Sequence, residues 1–158
     1  MSQAMASVSS VLDEAGVDYE VLSHTPTERA ADEANVLGLP PSGVAKTLVV
    51  AAPGGHVRVV LPASERIDLR KLRDYVEGGK RIRLANEDEL ARAYPEFDLG
   101  AVPPFGGASY DRVLVDARVM GKHSVVLEGG SHEQSVRIET GDLLKVTEAE
   151  VVDICKEE

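Results

Sequence analysis

Two apolar runs rich in β-branched residues, VAKTLVVAA (44–52) and HVRVVL (56–61), are separated only by Pro53, Gly54 and Gly55. A pair of strands so closely joined reads as an antiparallel hairpin, because glycine supplies the dihedrals of a tight turn and valine fits a pleated sheet. Any fold for this chain must be built around that hairpin.

The remaining pattern adds elements on both sides of it. Met5, Val8, Val11, Leu12 and Ala15 recur at helical spacing over residues 3–15, with Gly16 as a stop. Residues 19–22 read as a short strand. Thr27 is placed to cap a helix over 28–37, ended by Gly38. Asp68 opens a helix through Val76, residues 80–84 read as a strand, and Asn86 with Glu89 forms a capping-box start for a helix ending near Tyr94. Extended runs follow at 112–116, 124–127 and 134–139, and Thr147 with Glu150 predicts a final short helix, of which VVDICKEE is the frayed end. Strands outnumber what a regular β-α-β alternation would give. The expected class is therefore α+β, a mixed and largely antiparallel sheet with helices packed around it. No repeat, linker or low-complexity tract divides the chain, so one domain over 1–158 is expected.

Composition narrows the function classes. A formal charge of −10 over 158 residues argues against a general DNA binder, since Lys and Arg supply most non-specific affinity for phosphates. The charge is uneven, however: the window 66–83 holds seven of the 17 basic residues against three acids, a local +4 on an acidic body. Such a patch suits contact with one nucleic-acid segment, and equally a solvated helix and strand edge. No apolar stretch approaches the roughly 20 residues needed to span a bilayer, and the N-terminus lacks the basic start of a signal peptide. A single cysteine, Cys155, forms no internal disulfide and suits a reducing compartment, so a cytoplasmic location is expected. Its tail position speaks against a nucleophilic role.

Several constellations could carry chemistry. GLPPSGVAKT (38–47) resembles a phosphate-binding loop, but Val44 and Ala45 separate the second glycine from the lysine, and the pair opens a strand instead of a helix. Nucleotide hydrolysis is rejected. Strand alternation puts Lys46 on one face with Val44, Leu48 and Val50, where its stem either snorkels to the sheet edge or points into a pocket that needs a fixed cation. The stretch 100–106, Gly-Ala-Val-Pro-Pro-Phe-Gly, is stiff and either presents backbone N–H groups to an anion or carbonyl, or is a turn with Phe105 tucked into the core. His132 sits in a glycine-led turn beside Ser131 and Glu133, an exposed turn histidine or a site residue. His24, His56 and His123 lack ligand spacing, so neither a metal nor another cofactor is expected.

In their order these features resemble the YbaK and prolyl-tRNA synthetase editing-domain family over nearly the whole chain. The resemblance rests on His24-Thr25-Pro26 before an Ala-rich helix ending in Leu37-Gly38, on Lys46-Thr47-Leu48 entering a strand, on the Gly100 to Gly106 loop, on the strand VLVD, and on the run from Ser131-His132 to Asp142-Leu143. It implies the fold given above and an aminoacyl-tRNA deacylase acting on wrongly attached alanine or cysteine on proline tRNA. It implies that Lys46 and the loop residues Gly100, Ala101 and Val102 serve catalysis. Thr27, Ala31, Thr47, Pro103, Pro104, Phe105, Gly106 and His132 then bind substrate, with the amino-acid pocket between the 27–37 helix, including Ala31 and Ala34, and the loop. The implied partners are the 3′ acceptor end of aminoacyl-tRNA and a prolyl-tRNA synthetase, with the oligomeric state open. The competing reading is a non-catalytic module that binds charged tRNA or a synthetase.

Overall fold

The computed structural model describes residues 3–27, 29–107 and 111–157. Helix α1 (Gln3–Ala15) buries Met5, Val8 and Leu12 as a single stripe, and Gly16 at φ +70 ends it. Strand β1 (Tyr19–Ser23) leads to α2 (Ala30–Val36). The predicted cap by Thr27 is not formed. The helix starts after Arg29, which makes no side-chain cap bond, and the Thr27 N–H and hydroxyl both donate to the His132 carbonyl. Residue 28, the expected first position of that helix, lies outside the described residues.

The hairpin is present as β2 (Val44–Ala52) and β3 (Gly55–Pro62), antiparallel from Ala45 opposite Pro62 to Ala52 opposite Gly55. The expected 68–76 helix shrinks to one turn, α3 (Leu69–Leu72), whose start is capped by the Asp68 carboxylate accepting from the Arg70 and Lys71 amides. Residues 79–81 form a 3-10 turn, so the next strand, β4, is only Arg83–Leu84. The capping box of Asn86 and Glu89 opens α4 (Glu87–Ala93). Then follow β5 (Arg112–Asp116), β6 (Ser124–Ser131) and β7 (Gln134–Glu139).

The C-terminal region corrects the sequence reading. Helix α5 (Thr140–Thr147) occupies a segment without a predicted element, and Thr147 ends it instead of capping a later one, its hydroxyl donating back to the Leu143 carbonyl. Glu148 at φ +53 breaks the helix, and residues 150–152 form strand β8 (Glu150–Val152), parallel to β5. The β5 edge offers a row of unpaired backbone groups, and pairing with it outweighs the weak helical signal of so short a segment. Cys155 is accordingly not in a frayed tail. It bridges Ile67 and is fully buried, and burial pushes its thiol up to about 12, which leaves it inert.

The strands join in one sheet of order β1-β7-β6-β2-β3-β5-β8, with β4 added to β2. It is mixed: β2 with β6, β3 with β5, and β5 with β8 are parallel, the other pairings antiparallel. The α+β class with helices on a mixed sheet is thus the observed one. One face, with Ala45, Val60, Val115, Leu127 and Ile138, packs on α1, α5 and the 97–105 segment. The opposite face divides into two smaller clusters, one under α2 around Val44 and Val126, the other around Val50, Leu61 and Leu72.

The side of β2 away from β3 is shared. Strand β6 pairs with it only at Val44 and Ala45, and β4 only at Val50 and Ala51. Residues 46–49 therefore have no neighbouring strand on that side. The sheet is split at its centre.

Candidate functional site

A cavity of about 440 Å³ opens at this split. Lys46, Thr47, Leu48 and Val49 supply one wall, Ala30 and Ala31 of α2 a second, Gly100 and Val102 a third, and Glu128 of β6 completes the lining. A small side pocket continues from Gly100 and Glu128 to Thr27, Glu33, Ala101, Ser131 and His132.

Backbone parity explains what faces the opening. The Val44 carbonyl accepts from Ala63 on the β3 side, whereas the Val49 carbonyl accepts from Ala85 on the β4 side. Even-numbered residues of β2 thus bond to β3, and the N–H and C=O of Thr47 point into the split. Lys46 lies on the face between the α2 cluster and the Val50 cluster, where neither covers it fully. Burial pulls its pKa down from the ordinary lysine value, opposed by the fields of Cys155, Glu128 and Glu65.

The loop from 97 to 107 is fixed by two buried devices. Arg58, 1% exposed on β3, donates to the carbonyls of Pro103 (2.9 Å) and Gly106 (3.0 Å) and to the Asp111 carboxylate (3.0 Å), while its guanidinium stacks 4.7 Å from the Tyr94 ring centroid. Tyr94 donates to the same carboxylate. A planar five-donor fork in a dry site satisfies several carbonyls at once, which a lysine could not do. At the other end, Asp98 joins the loop to the β6–β7 turn: its N–H donates to the Gly130 carbonyl, its carbonyl accepts from Ala101, and its carboxylate accepts from the His132 N–H.

These bonds sort the residues expected at the site. Lys46, Thr47, Ala31, Gly100 and Val102 share the main cavity, and Thr27, Ala101 and His132 share the side pocket with Gly100. Pro104, Phe105 and Gly106 do not join them. They line a separate groove with Val11, Glu14 and Arg58, and Phe105 is buried in the α1 core. Pro103 turns its carbonyl to Arg58. The idea that amides across 101–106 face a substrate carbonyl is narrowed accordingly: Ala101 donates within its own turn, and Pro103 and Pro104 have no N–H to give. Ala34, named with Ala31 as a pocket residue, is fully buried beneath α2, while Ala31 reaches the cavity.

Sequence reading missed the acids. Glu33 on α2 and Glu128 on β6 are 2% and 8% exposed. Glu33 accepts a hydrogen bond from the Ser135 hydroxyl and lies 3.8 Å from His24 Nε2, which is itself 2.8 Å from that hydroxyl. Burial raises the pKa of Glu33, and burial together with the charge of Glu33 raises that of Glu128 well above the ordinary carboxylate range. The signal was present: Glu128 interrupts the apolar run VVL at a position where strand alternation points it inward. Among the described residues no three His, Cys, Asp or Glu side chains gather as a metal would require, and no helix is long and apolar enough to cross a membrane.

The aminoacyl-tRNA editing domain family model matches residues 24–146, a span that contains Lys46, the loop, Glu128 and His132. The chain belongs to that family. Among solved structures, this editing domain is similar to a candidate trans-editing enzyme for prolyl tRNA synthetase, with 25% identity, 99% of each chain covered and a TM-score of 0.89. It is also similar to a hypothetical protein at 26% identity, covering 95% of this chain and 99% of that one, with a TM-score of 0.86. A scaffold used for epitope grafting shares the fold at 23% identity and a TM-score of 0.88 over the full length of both chains. Family membership gives the editing domain a role in tRNA editing, with aminoacyl-tRNA as the molecule it meets.

Proposed function

We propose that this protein is a deacylase that works in trans in the cytoplasm, hydrolysing the ester of mischarged aminoacyl-tRNA, with alanine or cysteine on proline tRNA as the substrates to test first. The observation that carries this reading is the cleft at the split sheet, where a half-buried lysine, an open strand edge and a braced glycine loop converge. An aminoacyl ester is already activated, so positioning a water and stabilising the developing oxyanion supply most of what hydrolysis needs. In the reaction a water oxygen bonds to the carbonyl carbon, the bond to the ribose oxygen breaks, and that oxygen leaves with a proton.

In this reading Lys46 anchors the phosphate or ribose of the terminal nucleotide, and the Gly100 and Val102 amides with the N–H of Thr47 receive the carbonyl oxygen. Ala31 limits the size of the amino-acid side chain, so a bulkier residue there shifts which amino acid is released. Thr27 and His132 border the side pocket, while Pro103, Pro104, Phe105 and Gly106 act through the loop's shape. A prolyl-tRNA synthetase is a natural partner, since the similar structure of the candidate trans-editing enzyme is described by reference to one.

The test is release of free amino acid from a panel of aminoacyl-tRNAs. Wild type should release at least one mischarged amino acid, and Lys46→Ala should reduce kcat/KM by about 100-fold or more, the scale of losing one preorganised electrostatic contact. Full activity in Lys46→Ala, or no release from any member of the panel, would refute the assignment.

A further inference from the structure

Among the described residues, three buried oxygens without a hydrogen-bond partner belong to residues lining the cleft and its side pocket: Glu128 Oε2, Glu33 Oε1 and Thr47 Oγ1. Buried polar atoms are nearly always partnered, so two orphaned carboxylate oxygens beside one opening mark a place where a donor is to be supplied, whereas Thr47 Oγ1 lies on the other face of β2, with Ala45 and Val49. The two carboxylates differ in their surroundings. Glu33 has Ser135 and His24 at hand. Glu128 has neither, and Lys46 reaches it through the electrostatic field and not through a direct bond. Register explains the pairing of positions: Val44 lies opposite Val126 and Ala45 opposite Leu127, so Lys46 and Glu128 come next in line on one face, just where the two strands part. Arg29 and His132 complete the charged and titratable groups at the opening.

Two buried acids face one half-buried lysine, while Arg29 is exposed at the rim and pairs with Asp32, so what the interior of the cleft lacks is a compact cation with several N–H donors. We propose that Glu128, with the free oxygen of Glu33, seats the α-ammonium group of the aminoacyl moiety. This rests on the deacylase reading and extends it to the part of the substrate that every aminoacyl-tRNA carries and that peptidyl or N-blocked tRNA lacks. The N–H donors of an ammonium suit the two free carboxylate oxygens, and the charge compensates a carboxylate that burial otherwise disfavours. Lys46 then holds the nucleotide end while Glu128 holds the amine, and the ester is stretched between two fixed charges at the point where the Gly100 loop approaches. The selectivity that follows is against a blocked amine, independent of the side chain.

The test uses the full chain and a pair of ligands, 3′-deoxy-3′-(L-alanylamino)adenosine, in which an amide replaces the labile ester, and its N-acetyl derivative. Dissociation constants come from NMR titration, and kcat/KM is measured in parallel on alanyl-tRNA and N-acetylalanyl-tRNA. Wild type should favour the free amine at least 10-fold in both measurements, and Glu128→Gln, which keeps shape and hydrogen bonding, should remove that preference. Wild-type values within twofold for the two ligands would overturn the inference and leave the deacylase reading standing. Equal weakening of both ligands by Glu128→Gln would show that Glu128 serves Lys46 alone, and would overturn it too. Absence of binding together with absence of turnover on any aminoacyl-tRNA would remove the deacylase reading, and this inference with it. The wild-type comparison needs no variant, so a poorly folded Glu128→Gln does not obscure the result.

Discussion

Glu128 illustrates the tension between a site and the stability of its surroundings. The residue is 8% exposed and its pKa is raised, first by burial and then by the charge of Glu33. An acid whose folded pKa lies above its unfolded value binds more protons when folded, so its contribution to stability is fully present below about pH 4.5 and is lost as the pH climbs through the folded value. Glu128→Gln, which cannot ionise, should therefore raise Tm at pH 8, with the gain shrinking towards zero near pH 4.5. Thermal unfolding across that range checks it, and equal gains at both ends would show that the carboxylate carries no such penalty. Stability gained while activity is lost is the behaviour expected of a group retained for function.

The element that sets the site's geometry is the end of β6 with the β6–β7 turn. Gly130 at φ +93 lets the Phe97 ring approach so closely that an added Cβ would lie 2.7 Å from Cδ1, and its carbonyl accepts from the Asp98 amide. Through Asp98 the turn also holds Ala101 and His132, and through the His132 carbonyl it holds Thr27. One turn thus ties together the Gly100 loop and the connection from β1 to α2. Gly130→Ala should destabilise by about 2–4 kcal/mol, combining a strained dihedral with overpacking of Phe97. It should also lower kcat/KM on aminoacyl-tRNA more than any loss of folded protein accounts for. Denaturant unfolding and assays corrected for the folded fraction measure the two effects, and an unchanged Cm would count against the steric account.

Across the whole molecule, charge is divided between an acidic body and the 66–83 patch. Within the patch Lys71 is engaged by Asp153 and Glu157, and Arg83 by Glu89, whereas Arg66 is exposed and close enough for its charge to depress the pKa of Lys46. The Arg66 end of the patch therefore lies near Lys46 and the cleft. If it guides the acceptor end of tRNA, reversing Arg66 and Arg70 to Glu should lower the slope of log Kd against log salt by about one for each phosphate that the patch ceases to neutralise. The chemical step on bound substrate should change little. A slope identical to wild type would dismiss the patch as a tRNA-binding surface.

Local signals determined a good part of this protein. The hairpin, α1 and the capping box at Asn86 are legible because each is settled by neighbours in the chain: β-branched alternation, a helical apolar stripe, a side chain reaching its own backbone. Order along the chain carried the family resemblance, and with it Lys46 and Gly100. Segments that depend on a distant partner were not legible. Residues 150–152 become a strand only because the edge of β5 is open, and Thr27 does not cap α2 because its N–H and hydroxyl both donate to the distant His132 carbonyl. The partition of the 100–106 loop followed from Arg58, whose donors capture the Pro103 and Gly106 carbonyls from 45 and 48 residues away. The split in the sheet exists because β6 and β4 each take only two residues of β2, and no local pattern records where two strands diverge. It is tertiary structure alone that places Glu128 beside Lys46 in a space where an unpartnered carboxylate has a use, since burial and field depend on what surrounds a residue.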